Sequence, residues 1–461
     1  MEITYCDGVF SVDGTHGFLP MKDPLAKLPD NFSRLQEIVD NMPIYLEDGT
    51  NGYLFYEGRI HEECKSLPNH VNDIAEVKDP FVLQALFRSY AFLASAYLLE
   101  PSYHHFLRTG DYGPALRVLP ANIAMPFASV ANVLGIYPFM DYHYGYSLCN
   151  YVRIDPDKDL DWTNLKMAGK FSGTPDETGF IMVHVDINQH SPQLVSSVFN
   201  TLQGLKDGSL ELVRDGLTQN WETMKVINER RKKMWQASRH KHYNDFRVFI
   251  MGIKGNTDMF GDGVVYEGVS DEPMQYRGQT GAQDDIIPTE DIFCGLIKYY
   301  PENKLTDYLL DLRQYRPVVV QRFFRDLQTN ADGIFEKVVA LDKSLLVPLL
   351  GIVDEIYKFR NGHWQFVQKY IMANTKYDRA TGGTPITTWI PNQIEACLKY
   401  TRTILDTLKT DSSLYSDEFV QYMEGRYTDR VRILHNQIEE LKTKNFDAGL
   451  IYRLNESEAE Y

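Results

Sequence analysis

The chain has 461 residues, a length that exceeds one ordinary hydrophobic core and predicts two packed domains. Hydrophobic residues make up 43% of it and aromatic residues 13%, so it can bury a large core and does not belong to the disordered class. Its 63 acidic side chains outnumber the 47 basic ones and give a net charge of -16, which argues against nucleic acid as a partner because an acidic surface repels phosphate.

The first long helix is predicted to begin at residue 79. The residues before it are rich in proline, glycine, asparagine and aspartate, and predict loops with short helical pieces. Asp79 followed by Pro80 has the order of a helix cap and a first-turn proline, and apolar residues at helical spacing continue to Glu100. The stretch 81–99 is the most apolar of the chain but contains Arg88. Because charge is costly in lipid, we predict a buried helix and no contact with a membrane.

The middle of the chain contains one ambiguous segment and one basic run. In residues 180–187 the branched residues alternate with the others, which by itself is typical of a strand. Residues 194–235 predict one or two amphipathic helices, and the basic run 229–233 is interpreted as a solvated helix face. The polar residues 155–176 are the best candidates for a domain boundary.

The last third of the chain predicts helices separated by loops. Residues 254–290 form a glycine-rich loop region, after which Thr289 caps a helix that begins near Glu290. In the final helix apolar residues recur at spacings of 3, 4 and 3 over less than two heptads, which fits packing on its own domain or a dimer contact. The predicted helices are 305–327, 335–371, 394–408 and 416–444, with a polar loop at 375–391.

Cysteine usage and the common motifs exclude several chemistries. The five cysteines are far apart and form no CxxC pair, which argues against a disulfide framework, a zinc site or an iron–sulfur site and fits a reducing cytoplasm. The beginning of the chain, MEITYCDGVF, is acidic and lacks a long apolar run, so no signal peptide is predicted. There is no phosphate-binding loop, dinucleotide motif, HExxH or GxSxG.

Five segments, in order between about residue 9 and about residue 405, resemble the indoleamine 2,3-dioxygenase family. They read HGFLPMKDPLAKLP, ALRVLPANIAMPFASVANVLGIYP, RVFIMGIKGNTDMFGDGVVYEGVSDEPMQYRGQTGAQDDIIPTEDIFCGL, RNGHWQFVQKYI and ATGGTPI. The resemblance implies a mainly α fold with haem b between a small N-terminal domain, residues 1–165, and a large helical domain, residues 166–405. Residues 406–461 lie outside the family's usual span and form a C-terminal helical extension. The implied partners are a small aromatic substrate and O2 or peroxide, with monomer and homodimer both open.

The same resemblance assigns the haem iron to His363. A neutral imidazole on a rigid helix binds iron well when an acceptor holds its other nitrogen, and the matching acceptor is Asp291. Arg360, one turn before His363, matches the position that meets a haem propionate, whose carboxylate suits a guanidinium. Without the matched segment, a lone histidine beside Trp364 predicts a hydrogen-bonded core residue.

The resemblance also implies a substrate site on the other side of the haem. Arg247 matches the arginine that holds the substrate carboxylate, although taken alone it can equally form a core salt bridge. Phe180 matches the aromatic residue that packs over the substrate ring, and Tyr142 is assigned to the small-domain wall of the pocket. The remaining matches are Thr280, near the substrate amine, and Thr381, Gly382 and Gly383, in the loop that closes over the site.

Two departures from the family bear on catalysis and specificity. His184 stands where the animal enzymes carry serine, and either a helix or a strand places it on the same face as Phe180. It can serve a dioxygenase, shuttle protons for O–O cleavage, or turn into the core. His242 and Tyr243 replace two phenylalanines, and a more polar pocket favours a substrate with an extra hydrogen-bonding group over plain tryptophan.

Three functions therefore remain open at the level of sequence. The first is a dioxygenase that inserts both atoms of O2 into the indole ring of tryptophan or a related indole or aromatic amino acid. The second is a haem monooxygenase or peroxide-using hydroxylase of an aromatic amino acid derivative, which His184 and His242 favour. The third is a haem-binding sensor or carrier without turnover, against which Arg247 and the closing loop argue.

Overall fold

The fold is dominated by helices, and the strands in the part of the chain that the structure describes are only two or three residues long. The structure is a computed structural model that describes residues 5–302, 304–372, 381 and 386–443. β1 pairs with β2 and β4 with β5 in antiparallel fashion, whereas β3 and β6 are parallel. These strands are β1 (Tyr5–Cys6), β2 (Ser11–Val12), β3 (Val118–Leu119), β4 (Tyr151–Arg153), β5 (Leu165–Met167) and β6 (Val265–Tyr266). The prediction of a mainly α fold is confirmed.

The N-terminal third is built around one long helix. The helices of this part are α1 (Ser33–Asn41), α2 (Arg59–Cys64), α3 (Val71–Ala75), α4 (Pro80–Thr109) and α5 (Ala121–Leu134). α4 begins as predicted, because the side chain of Asp79 accepts a hydrogen bond of 2.8 Å from the amide of Phe81. It runs past the predicted end at Glu100. Pro101 removes one backbone donor without ending the helix, since the next turn buries Tyr103 in the core.

α4 is a core helix, as predicted. Among the described residues it is the one helix that is long and apolar enough to cross a membrane, and 89% of its most apolar window is buried inside the structure. The charge within it is satisfied by the protein, because Arg88 donates to the carbonyl oxygens of Cys149 at 2.8 Å and Leu25 at 2.5 Å. A membrane is therefore not needed to account for its apolar surface.

The middle of the chain supplies one wall of the site described below. Its helices are α6 (Pro175–Asn188), α7 (Ser191–Asp207), α8 (Leu210–Arg231), α9 (Met234–Ala237), α10 (Asn244–Arg247), α11 (Thr257–Phe260) and α12 (Ile286–Phe293). Residues 180–187 are helical, so the strand that their alternation suggests is wrong and the family analogy is right. α6 is buried on most of its sides, which removes the 3.6-residue period that a half-exposed helix shows.

α12 begins four residues before the predicted start at Glu290. Its first amide, that of Ile286, donates at 3.0 Å to Oδ1 of Asp284. Thr289, the predicted cap, lies inside the helix and its hydroxyl donates to the carbonyl oxygen of Asp285 at 2.6 Å. Asp284 therefore binds the first free amide of the helix, and the helix begins before Thr289.

The C-terminal third carries the helix with His363. The two long helices predicted here are each broken, after Leu312 and after Leu341. α16 continues as a π-helical turn, Val367–Met372. The helices are α13 (Lys304–Leu312), α14 (Val318–Ala331), α15 (Ile334–Leu341), α16 (Leu346–Phe366), α17 (Ile386–Leu408), α18 (Ser412–Tyr415) and α19 (Glu418–Thr443).

The predicted C-terminal extension packs on its own chain through α19. Arg430 forms a buried ion pair of 2.6 Å with Asp354 on α16, and Arg402 on α17 pairs with Glu424 at 3.0 Å. Leu434 of the predicted apolar seam is buried against the same core. These contacts support packing within the chain, and a dimer contact stays a prediction.

Buried polar contacts cross the predicted boundary at residue 165. Nε2 of His143 lies 2.7 Å from Oδ2 of Asp285, whose other oxygen accepts from Nε of Arg316 at 2.7 Å. All three side chains are almost fully shielded from solvent. The division into residues 1–165, 166–405 and 406–461 stays a prediction, but the first two parts share this buried cluster next to the site.

Candidate functional site

Two adjoining cavities share His363 as part of their walls. One, here called the aromatic cavity, holds about 1190 Å³ of empty space including its mouth and has a mainly apolar lining with Arg231 and Asp284. The other, here called the arginine cavity, holds about 790 Å³ and contains Arg313, Arg316 and Arg360. The residues common to both are Gly281, Asp284, Phe359 and His363.

α16 presents His363 to both cavities from its last turn. Burial, together with the nearby charges of Arg231 and His184, lowers the pKa of His363 to about 4. In the described part of the chain no hydrogen bond reaches its imidazole ring. The ring is therefore neutral at pH 7 and has a lone pair to offer, which is the form that binds a metal ion.

Arg231 comes from the end of α8 and lies against the turn of α16 that carries His363. Its guanidinium packs over the rings of Phe359 and Phe366 at 5.4 and 5.5 Å, and a Cβ at Gly362 would collide with it. Burial lowers its pKa to about 10. The interpretation of the whole run 229–233 as a solvated face is wrong at this residue, since Arg231 lines the aromatic cavity.

The arginine cavity contains an ion pair that the sequence analysis assigned differently. Nη2 of Arg360 donates to Oδ2 of Asp291 at 2.6 Å, and the hydroxyl of Tyr300 donates to the same oxygen at 2.5 Å. Asp291 was expected to accept a hydrogen bond from His363, but it forms a buried ion pair with the guanidinium of Arg360 instead. Oδ1 of Asp291 is buried without a hydrogen-bond partner.

Arg313 adds a second cation to the arginine cavity. Burial lowers its pKa, and the like charge of Arg316 lowers it further. Within residues 5–302, 304–372, 381 and 386–443 it forms no ion pair, and its recorded contact is a long hydrogen bond of 3.4 Å to Gln328. A half-buried guanidinium without an ion pair among the described residues favours an anion in the cavity, and the carboxylates of a haem are such anions.

These features fit the haem that the resemblance implies. A neutral, unbonded His363 stands between an aromatic cavity and a cavity with arginines, which matches a flat apolar macrocycle with carboxylates at one edge. Among the described residues, Oδ1 of Asp291 in the arginine cavity has no hydrogen-bond partner and can still accept one. The residues present can therefore hold a haem without rearranging their charges.

Phe180 and His184 stand one turn apart on α6 and line the aromatic cavity. The Phe180 ring lies 4.9 Å from the ring of Tyr243 and 6.0 Å from that of Tyr370. These rings form an aromatic wall of the cavity, and it suits a flat apolar substrate. The predicted pairing of Phe180 with His184 on one face is present.

His184 is held from behind by buried polar groups. Its Nδ1 lies 3.2 Å from the hydroxyl of Tyr142, and that hydroxyl donates to Oδ2 of Asp284 at 2.7 Å. Burial lowers the pKa of His184, although the charge of Asp284 opposes the shift. Tyr142 thus stands one layer behind the aromatic cavity and not in its lining. The interpretation of His184 as a residue turned into the core is not met, because it lines the cavity.

Thr280 and Thr381 line the same cavity from two loops. The hydroxyl of Thr280 accepts from the amide of Ala282, and the carbonyl oxygen of Thr381 accepts from the amide of Gly252 at 2.8 Å. Both positions are therefore anchored to the backbone of the glycine-rich region. Gly382 and Gly383 lie outside the described residues.

Besides Tyr142, two predicted substrate residues are not part of the lining. Arg247 is fully buried, donates to the hydroxyl of Tyr112 at 3.3 Å and hydrogen-bonds to Tyr243, which does line the aromatic cavity. Nδ1 of His242 lies 3.0 Å from Asp245, and its side chain is 32% exposed. The expectation that His242 makes the pocket polar is not met, because it pairs with the helix residue three positions later.

Three residues of the site were missed by sequence reasoning: Arg231, Asp284 and Arg313. Arg231 was hidden in a basic run, and nothing in that run separates it from its solvated neighbours. Asp284 stands directly before an apolar helix start, where an aspartate usually acts only as a cap. Arg313 directly follows the amphipathic helix α13, and the helical spacing of that segment was the one sequence signal that could have placed it near the core.

Comparison with known proteins agrees with this site. The family model described as indoleamine 2,3-dioxygenase matches residues 7–402. Indoleamine 2,3-dioxygenase 2 of Homo sapiens is 25% identical over 400 residues, covering 83% of this chain and 92% of that protein. Indoleamine 2,3-dioxygenase 1 of Rattus norvegicus is 23% identical, covering 87% and 94%. A protein named myoglobin from Haliotis madaka is 26% identical over 276 residues, which is 58% of this chain and 68% of that protein.

The match of the family model covers most of the chain, and the haem-compatible cavities lie within it. The resemblance seen in five separate segments is thereby confirmed. The chain belongs to the indoleamine 2,3-dioxygenase family and is a haem-dependent oxygenase.

Proposed function

We propose that this chain inserts both atoms of O2 into the indole ring of tryptophan or of a related indole, with His363 as the ligand of the haem iron. One observation carries the proposal: two neutral histidines, His363 on α16 and His184 on α6, line the same aromatic cavity from two different helices. One wall can bind the cofactor while the other contacts the reacting substrate.

Haem bound at His363 would supply the binding and activation of O2. Arg360 and Arg313 would hold its carboxylates in the arginine cavity. Arg360 shares its present acceptor, Asp291, with the hydroxyl of Tyr300, and Arg313 has no ion pair among the described residues. A hydrogen-bond acceptor was expected beside His363, but Arg231 places a positive charge near it. A neutral, weakly basic imidazole suits O2 binding better than cleavage of a peroxide bond.

The substrate would lie in the aromatic cavity. Phe180 and Tyr243 can stack on its ring, and the hydroxyls of Tyr243 and Thr280 can bond its polar groups. We assign the substrate carboxylate to Arg247, which stands one layer behind the cavity and hydrogen-bonds to Tyr243, and assign closure of the site to Thr381, Gly382 and Gly383. Tyr243 is the polar addition that favours an indole bearing a further hydrogen-bonding group.

The number of oxygen atoms gained by the product tests this proposal. Haem-loaded protein is incubated with ¹⁸O2 and tryptophan or hydroxylated indole substrates, and product masses are measured. We expect two labelled oxygens and no consumption of a reductant beyond the first reduction. A gain of one oxygen, requiring peroxide or a reductant, would contradict it and support the hydroxylase hypothesis, which now relies on His184 alone because His242 lies outside the cavity.

A second candidate function, O2 carriage without turnover, is favoured by one observation, the relative named myoglobin. A carrier needs the haem site but no substrate site. Titration of the ferrous protein with indole substrates separates the two, since an enzyme shows a substrate-induced change in its absorption spectrum and a carrier does not. The lining by Phe180, Tyr243 and Thr280 supports the enzyme.

We also propose a cytoplasmic location. Cys6, Cys64, Cys149, Cys294 and Cys397 are all free thiols in the structure, which suits a reducing compartment. Monomer and homodimer both remain open, and sedimentation of the purified protein distinguishes them.

A further inference from the structure

A chain of buried hydrogen bonds leads from Asp284 to the ring of His184. Oδ2 of Asp284 accepts from the hydroxyl of Tyr142 at 2.7 Å and from the side-chain amide of Asn188 at 2.8 Å. Its other oxygen accepts from the backbone amide of Ile286 at 3.0 Å. Three donors converge on this carboxyl group, and a carboxylate accepts all of them without contributing a donor of its own, so the geometry favours that form.

The number of protons available along these hydrogen bonds decides which tautomer His184 adopts. The hydroxyl of Tyr142 has one proton, and a carboxylate at 2.7 Å is a stronger acceptor for it than an imidazole nitrogen at 3.2 Å. The oxygen of Tyr142 then has only lone pairs left for His184. Nδ1 of His184 must therefore carry the ring proton and donate it, and Nε2 must carry a lone pair.

Nε2 is the nitrogen that remains for the cavity. His184 lines the aromatic cavity, and in the described part of the chain no hydrogen bond to its Nε2 is present. The rest of the residue is fixed, since its carbonyl oxygen accepts from Asn188 at 2.9 Å and Nδ1 is held by Tyr142. A helix and a buried hydrogen bond thus leave the ring little freedom to flip.

We propose that Asp284 and Tyr142 are positioning residues that hold His184 as the tautomer protonated on Nδ1, so that Nε2 faces the aromatic cavity as a hydrogen-bond acceptor. The inference rests on the proposed function, because it concerns His184, the second histidine of the cavity that His363 lines as the haem ligand. The site then binds best those substrates that present an N–H or O–H group to this wall. A group that offers only lone pairs there leaves two acceptors facing each other.

Asp284 also stabilises His184 when it takes up a proton. A positive charge formed on the imidazole is balanced by the buried carboxylate through the hydroxyl of Tyr142, without either group moving. The three residues are far apart in the chain, and only Asp284 contributes a charge. Replacing it should therefore change the direction of the hydrogen bonds while keeping the shape of the pocket.

The infrared stretch of carbon monoxide bound to the ferrous haem protein tests the inference. A lone pair beside the CO oxygen raises the C–O frequency, whereas an N–H group lowers it, because back-donated charge on that oxygen is repelled or stabilised. We expect the native protein to absorb at a higher frequency than His184→Ala. In Asp284→Leu, a side chain of similar size that cannot accept a hydrogen bond, the hydroxyl of Tyr142 loses its acceptor and donates to Nδ1 of His184, so that the ring proton moves to Nε2. Its band is expected below that of His184→Ala.

Tyr142→Phe provides a second variant, since it frees Nδ1 and should give a broadened or split band from both tautomers. Tyr146→Phe is the matched control, because Tyr146 lies buried in the same π-helical turn, Tyr142–Tyr146, and donates to Glu177 at 3.0 Å outside this chain of bonds. Its band should match the native one.

A native band at or below that of His184→Ala, or no shift in Asp284→Leu and Tyr142→Phe, would overturn the inference alone. No carbonyl band in reduced, haem-supplied protein would overturn the proposed function together with it.

Discussion

The two histidines that face the aromatic cavity have opposite surroundings. His184 is tied by Tyr142 to a carboxylate that accepts three hydrogen bonds, and it sits in the middle of a helix buried on most sides. His363 sits in the last turn of α16, has no hydrogen bond within the described residues and lies beside the cation Arg231. Burial keeps both rings neutral.

This difference separates two roles that one residue type can play. A ring whose protons are set by neighbours is suited to orient or accept a donor, because its tautomer is determined before the substrate arrives. A ring without hydrogen bonds gains most from a metal ion, since no bond has to be broken to form the new one. The comparison predicts that substitutions on the two walls fail in different ways.

Removing His363 should have the largest effect. We expect His363→Ala to lose stable haem binding almost completely, because the iron then has no protein ligand. The Soret absorbance per protein measures it after haem is supplied and excess removed. His184→Ala is the matched control and should load fully; a His363→Ala protein with full haem would contradict the assignment of the ligand.

Removing the charge of Arg247 should weaken the binding of substrates with a carboxylate. We expect Arg247→Gln to raise KM for tryptophan about 10- to 100-fold, the loss of a charge-assisted hydrogen bond, while the haem spectrum stays native. A substrate analogue that lacks the carboxylate should be affected little. Arg231→Gln serves as the comparison, because Arg231 lines the cavity, and a larger effect there would assign the carboxylate to Arg231 instead.

Removing the ring of His184 should be milder if the reaction is a dioxygenation. We expect His184→Ala to lower kcat/KM by about tenfold, which corresponds to one neutral hydrogen bond of about 1 kcal/mol with its orientation. The haem content, and the pH at which half of the protein has bound haem, should not change. A loss of about a thousandfold or more would indicate proton-assisted O–O cleavage and favour the hydroxylase.

The carboxyl groups behind the two walls should differ in how stability depends on pH. Burial raises the pKa of Glu290 on α12 to about 8 from an ordinary 4.5, because Asn220 is its only hydrogen-bond donor in the described part of the chain and Oε2 has no partner. The folded state therefore holds a proton that the unfolded state releases above pH 4.5. Stability from this group is present below that pH and is lost as pH rises to about 8, by up to about 1.4 kcal/mol per pH unit.

Glu290→Gln should remove this dependence, so that it melts at a higher temperature than the native protein at pH 8.5 and at nearly the same temperature at pH 5. The control is Glu177→Gln. Glu177 accepts from Tyr146 and from the amides of residues 171–173, so its substitution should destabilise the protein at both pH values. Equal melting of Glu290→Gln and the native protein at pH 8.5 would contradict the buried-carboxyl account.

The sequence predicted the parts of the molecule that follow from local chemistry. Asp79 and Pro80 gave the start of α4 because a cap acts on the next two or three amides. The resemblance of separate segments predicted α6 as a helix and placed Phe180 and His184 on one face. Periodicity failed on α6, because a helix buried on most sides shows no polar face.

The partners of charged side chains were not predictable from local patterns. Asp291 was paired with His363 from the family, yet Arg360 lies closer in the fold and its buried charge requires a carboxylate. His242 and Tyr243 are neighbours in the chain, but the turn before α10 points one toward Asp245 and the other into the cavity. Arg247 stands one layer behind Tyr243 for the same reason.

By itself the sequence determined the helical class, the cap of the long core helix, the family and the shared face of Phe180 and His184, since each depends on residues near one another or on matched segments. Only the tertiary structure decided that Asp284 and Tyr142, 142 positions apart, meet behind His184 and that Arg231 stands beside His363. Hydrogen bonds and charge pairs depend on distances of a few ångströms, and such distances between remote residues exist only once the chain has folded.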